Sequence, residues 1–99
     1  MKIPEKVKIG GVNYEIRDVE NLNDGQSVLY GKIDYENFII ELNTKYNQID
    51  HKCIVLLHEI LHGILNQVTL EVENEELLVE VMSKGLYQII KDNPEIFKE

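Results

Sequence analysis

Intramolecular disulfides are excluded at once, because the 99-residue chain carries a single cysteine, Cys53. Such sparing use of cysteine is typical of a reducing compartment. Basic residues are scarce as well: ten Lys and Arg stand against eighteen Asp and Glu, a net charge of −8 with a pI near 4.8. Duplex DNA and RNA draw much of their affinity for proteins from Lys and Arg neutralising phosphates, so this balance excludes them as expected partners. The same shortage argues against an anionic membrane surface. No run of about eighteen apolar residues is present, and Met1-Lys-Ile-Pro-Glu-Lys-Val-Lys8 lacks the apolar centre of a signal peptide. The expected location is therefore cytoplasmic. Internal repeats, low-complexity tracts and interdomain linkers are also missing. What remains, 43% hydrophobic and 28% charged, is an ordinary globular composition. Residues 1–99 are expected to form one domain, only modestly stable unless something staples it.

The chain divides into two halves of different grain. In residues 1–43, Val7-Lys-Ile9 leads into Gly10-Gly11, a dipeptide suited to a tight hairpin turn. Val12, Tyr14 and Ile16 then alternate with Asn13, Glu15 and Arg17, the period of a half-buried strand. Asn21-Leu-Asn-Asp-Gly25 reads as a polar loop. Two more strands are expected, roughly Val28 to Asp34 and Phe38 to Leu42, joined near Glu36-Asn37 and rich in Val, Ile, Tyr and Phe.

Residues 44–99 read as two helices. The first runs from about Gln48 to Gln67, with Asn47 or Asp50 available as caps. Cys53, Ile54, Leu56, Leu57, Ile60, Leu61, Ile64 and Leu65 cover most of its circumference, leaving Lys52 and Glu59 as the polar side. A helix apolar nearly all round belongs at the centre of a domain. The second runs from about Glu75 to Lys91, capped by Asn74 and stopped by Asp92-Asn-Pro94. Its expected core stripe is Leu78, Val79, Met82, Leu86, Ile89 and Ile90. The fold class is thus α+β: a small, mainly antiparallel sheet packed against two C-terminal helices.

The chemistry lies on the first helix. His58-Glu59-Ile60-Leu61-His62 matches the pattern H-E-x-x-H. Residues four apart on a helix share a face one turn apart, so both imidazoles can reach one metal ion. Glu59 lies about 100° around the helix, suited to contact a water beside the metal rather than the metal itself. Burying two imidazoles and a carboxylate on so apolar a helix is unfavourable unless a partner satisfies them, and a metal ion does so most simply. Catalytic zinc usually has three protein ligands, so a third is expected from the second helix. The candidates are Glu71, Glu73, Glu75, Glu76 and Glu80. A helical wheel favours Glu75 or Glu76 over Glu80 without separating the first two. The alternative role of these acids is to favour the positive end of the helix dipole.

These residues carry a resemblance. Leu56-Leu-His-Glu-Ile-Leu-His-Gly-Ile64 resembles the active-site helix of zincin metallopeptidases. Glu75-Glu-Leu-Leu-Val79, Met82-Ser83 and Leu86 resemble the ligand helix of the ImmA/IrrE-like group of phage and mobile-element metallopeptidases, which are gluzincin-type. Asp92-Asn-Pro94 is similar to the ending of small phage-encoded proteins of this kind. The resemblance spans roughly residues 51–94. It implies His58 and His62 as ligands of one Zn²⁺, Glu76 as third ligand with Glu80 as the alternate, and Glu59 as general base. It also implies peptide-bond hydrolysis on a protein or peptide substrate. Larger members carry a helix before the sheet and target-recognition domains, so a minimal core is expected here. A binding or scaffold module with a structural metal is the competing expectation.

Other residues carry weaker signals. His51, two turns before His58, is expected to be exposed, the alternative being a place in the cleft. Cys53 reads as a small core hydrophobe. Tyr14, Tyr30, Tyr35, Tyr46 and Tyr87 offer phenols that could donate to an oxyanion, with nothing in the sequence to choose among them. Gly63 suits close helix packing. The strand at Phe38 to Leu42 is expected to accept an extended peptide along a free edge.

Overall fold

A computed structural model describes residues 1–98. Gly10 and Gly11 both take positive φ (57° and 84°), the conformation that a two-residue hairpin turn needs and that other residues resist. They join β1 (Lys6–Ile9) to β2 (Val12–Val19) in antiparallel register, Ile9 facing Val12. β3 (Gly31–Asp34) and β4 (Ile39–Asn43) form a second antiparallel pair. Asp34 Oδ1 accepts from the backbone N–H groups of Glu36 and Asn37, each at 3.0 Å, and so closes their turn. Val28 falls outside β3 and makes an isolated bridge to Asn23.

The two hairpins meet through β2 and β4, which run parallel, giving the order β1-β2-β4-β3. The sheet is therefore mixed but mostly antiparallel. β4 is central, with Glu15 to Val19 on one side and Gly31 to Asp34 on the other, so it offers no edge to a peptide. The expected strand addition at Phe38 to Leu42 is corrected accordingly. The cause is the connection at residues 20–30, which carries the chain past the β4 position and leaves β3 outermost.

Asn43 holds that connection in place. Buried at 2% exposure, its Nδ2 donates to the carbonyls of Leu29 (2.9 Å) and Leu22 (3.4 Å), and its Oδ1 accepts from the Lys45 N–H. Replacing Asn43 by Leu leaves these backbone groups without their partners. We expect a loss of about 2–3 kcal/mol of stability in urea denaturation.

Helix α1 (Ile49–Gln67) crosses one face of the sheet, with Leu56 and Val55 against Ile40, Leu42 and Ile9. Its cap is Gln48, whose side-chain oxygen accepts from His51 N–H at 2.8 Å, rather than Asn47 or Asp50. Asp50 instead accepts from the Tyr87 hydroxyl and pairs with Lys91. At Gly63 a Cβ would stand 2.9 Å from Ile9 Cδ1 and 3.1 Å from Ile33 Cδ1, so glycine sets the approach of helix to sheet. Cys53 is fully buried, as its hydrophobic reading requires.

Helix α2 (Glu75–Asp92) lies on the other side of α1 and packs through Val79, Ser83 and Tyr87, with Leu86 and Ile90 alongside. The expected stripe is rotated: Leu78, Met82 and Ile89 are 42–51% exposed. Ser83, at 0% exposure, takes the contact because its small side chain lets the helices approach. Asn74 occupies the cap position in left-handed conformation, without a side-chain cap bond. A short 3-10 turn (Pro94–Phe97) follows. Among the described residues no helix is long and apolar enough to cross a membrane.

Candidate metal centre

The site lies where the middle of α1 meets the first turns of α2. His58 and His62, one turn apart, direct their Nε2 atoms to within 3.2 Å of each other. The carboxylate of Glu76 reaches both, with Oε1 2.8 Å from His58 Nε2 and Oε2 2.9 Å from His62 Nε2. These three residues could hold a metal ion, one ligand atom from each lying within 4.8 Å of the others. The sequence placed Glu76 here only through its register; the fold brings it in because α2 starts beside the last turns of α1.

The opposite nitrogens are also engaged. His62 Nδ1 is 2.6 Å from Glu75 Oε2, and His58 Nδ1 faces Glu80 Oε2 at 3.2 Å. A carboxylate only accepts, and one faces both nitrogens of each ring, Glu76 at the two Nε2 atoms and Glu75 or Glu80 at Nδ1. With the hydrogens on Nδ1, where Glu75 and Glu80 accept them, both Nε2 lone pairs would turn to the Glu76 side. Such a donor set suits a cation. Tetrahedral zinc with bonds of about 2.0–2.1 Å to imidazole would separate two nitrogens by about 3.4 Å, close to the spacing found here. Glu75 and Glu80, rival third ligands by sequence, thus stand behind the imidazoles and orient them.

Electrostatics follow from the crowd of carboxylates. Burial works against charge on His62, but Glu75, Glu76 and Glu59 together outweigh it and raise its pKa. Glu80 is lowered, chiefly by the hydrogen bond from Lys84. Glu59 does not mark a solvent side of the helix: it is 7% exposed, and burial pushes its carboxyl up to about 7, with His62 opposing and Glu76 adding to the shift. Its Oε2 lies against Gly31, where a Cβ would stand 3.3 Å away.

A cleft of about 780 Å³ opens over these groups. Its floor is α1 from His51 to His62; one wall is residues 28–33, leading into edge strand β3, and the other is the Glu76, Glu80 and Lys84 side of α2. Of the five tyrosines, Tyr30 and Tyr35 line it. Tyr14 is in the core, Tyr87 is bonded to Asp50, and Tyr46 packs on Tyr30. Burial first, then Glu75 and Glu59, push the Tyr35 phenol up to about 12, so it keeps its proton at neutral pH. His51 is not merely exposed. It lines the cleft and packs edge-on to Tyr30 at 5.1 Å, a neighbour that only the fold supplies.

No protein-family model, curated protein or solved structure matches this chain.

Proposed function

We propose that the chain is a zinc-dependent metallopeptidase of the zincin type, related to the ImmA/IrrE-like group, in which His58, His62 and Glu76 hold one Zn²⁺. The carrying observation is the convergence of two imidazole Nε2 atoms and the Glu76 carboxylate beside a buried Glu59. When bound, the ion polarises the scissile carbonyl and acidifies a neighbouring water. The Glu59 carboxylate takes the proton of that water and returns it to the leaving amine. Tyr35, with its proton retained, faces the same cleft as a donor to the oxyanion. Glu75 and Glu80 fix the imidazole orientations through Nδ1.

An extended substrate fits beside β3. Tyr30 O already accepts from Asn43 N at 2.9 Å, so strand alternation leaves the backbone groups of Gly31 and Ile33 directed outward. Protein or peptide is therefore the proposed substrate class, and the acidic surface disfavours nucleic acid and anionic membrane.

The test is metal analysis of the purified chain with a peptide-library digest read by mass spectrometry. One zinc per chain and cleavage lost with chelator and restored by zinc support the reading. A metal-free protein that neither binds zinc nor cleaves sinks it. One zinc with no cleavage of any library, while the apo protein unfolds, would favour a scaffold built on a structural metal. A finer expectation concerns the outer carboxylates. Glu75→Gln and Glu80→Gln should each weaken zinc about 10- to 100-fold in a competition titration, because each His loses its anionic support.

A further inference from the structure

Helix α2 is apolar on two opposite faces, and the fold uses only one of them. Val79, Ser83 and Tyr87 pack on α1, while Leu77, Leu78, Val81, Met82 and Ile89 remain 42–60% exposed. At about 100° per residue, these five fall within one arc of roughly 140°, turned away from the buried row. A surface helix ordinarily carries polar side chains there. Together the five leave roughly 500 Å² of apolar surface on one face, a size at which a patch marks an interaction site.

Two further observations describe what this face receives. Gly85 lies at the middle of the arc and in the interior of the helix, and a Cβ built there meets nothing within 4 Å. Glycine weakens a helix interior relative to alanine, and no neighbour within the chain calls for it. What it supplies is a gap in the apolar stripe, with Val81 one turn before it and Ile89 one turn after. Such a gap lets the backbone of another helix come close. The second observation is electrostatic. Although the chain carries a net charge of −8, the acidic residues at the start of α2 are turned to the histidines of α1, Glu75 to His62, Glu80 to His58 and Glu76 to both. Lys84 reaches back to Glu80 at 2.8 Å. The stripe from Leu77 to Ile89 is left without charge, so repulsion between acidic chains acts away from it.

We propose that the outer face of α2 pairs with the same face of a second copy of this chain, the two helices crossing antiparallel at Gly85. A two-fold contact needs a surface complementary to itself. This stripe meets that condition, because an antiparallel crossing at Gly85 sets Val81 of each copy against Ile89 of the other. Two copies of the five side chains bury roughly 1,000 Å², the lower bound for a specific association. Pairing is therefore reversible, with a dissociation constant on the order of 10 μM. The metal cleft stays open in the pair, since none of the five side chains lines it.

Sedimentation velocity of the full chain over about 5–500 μM tests the pairing. The wild type should pass from monomer to dimer within that range. Val81→Lys and Ile89→Lys, both at exposed positions, should each weaken the dimer at least about tenfold. Lysine reduces the net negative charge of the chain, so a weakened dimer cannot be put down to general repulsion. Gly85→Gln fills the gap and should weaken pairing by a similar factor. Glutamine is the better helix former, so the far-ultraviolet helix signal should not fall. A chain that stays monomeric at about 500 μM overturns the proposal, whatever other protein the face accepts. A dimer untouched by the lysine variants, or by Gly85→Gln, overturns it as well.

Discussion

Replacing Glu59 by Gln should reduce peptide hydrolysis at least about 100-fold while leaving zinc content at one ion per chain. In the proposed site the carboxylate stands outside the set His58, His62 and Glu76, so its loss would remove a proton acceptor and no ligand. General-base groups typically contribute about 10²–10⁴-fold. The amide is nearly isosteric, so packing against Gly31 is preserved. Stability gives a second, independent readout. Glu59 is 7% exposed, and burying a carboxylate opposes folding whenever it is charged. Metal-free Glu59→Gln protein is therefore expected to melt no lower than metal-free wild type. A variant that keeps a tenth of the wild-type rate would remove Glu59 from the chemistry; one that loses its zinc would make it a ligand.

The second large effect concerns the metal itself. His62→Ala and His58→Ala should each lower zinc affinity by more than about 100-fold, since each removes one Nε2 from a three-residue shell. For wild type, zinc at a thousand times its dissociation constant would add about 4 kcal/mol to stability. Thermal melts with and without zinc should then differ clearly for wild type and coincide for both variants. Glu76→Gln tests the assignment of the third ligand in the same titration. If Glu76→Gln binds zinc as tightly as wild type while Glu75→Gln does not, the roles of the two neighbours are exchanged.

Much of this arrangement is legible in the chain because it depends on neighbours a few residues apart. The H-E-x-x-H spacing puts two imidazoles on one helix face in any setting. The Gly10-Gly11 turn and the limits of both helices are equally local. Three features are not local, and there the reading fails for identifiable reasons. β4 is central because residues 20–30 lead the chain around it, and the bonds from buried Asn43 that hold that path span 14 and 21 residues. Glu59 looks like the polar side of α1 on a wheel, which cannot register that Gly31 comes down upon it from the sheet. The stripe on α2 is misjudged because hydrophobicity counts Met82 and Ile89 as core and Ser83 as surface. Close packing of two helices prefers the small residue. The wheel also treats Glu75, Glu76 and Glu80 as rivals, whereas the fold engages all three, one beneath the two Nε2 atoms and two behind the rings.

Helix α2 meets only α1 and the short turn after it; it has no contact with the sheet among the described residues. At one end it is tied by Tyr87 and Lys91 to Asp50, and at the other the two histidines meet Glu75, Glu76 and Glu80. The three groups that could hold a metal thus come from both helices, so an ion bound there would tie α2 to α1 at that end, and its affinity would depend on how the two helices pack.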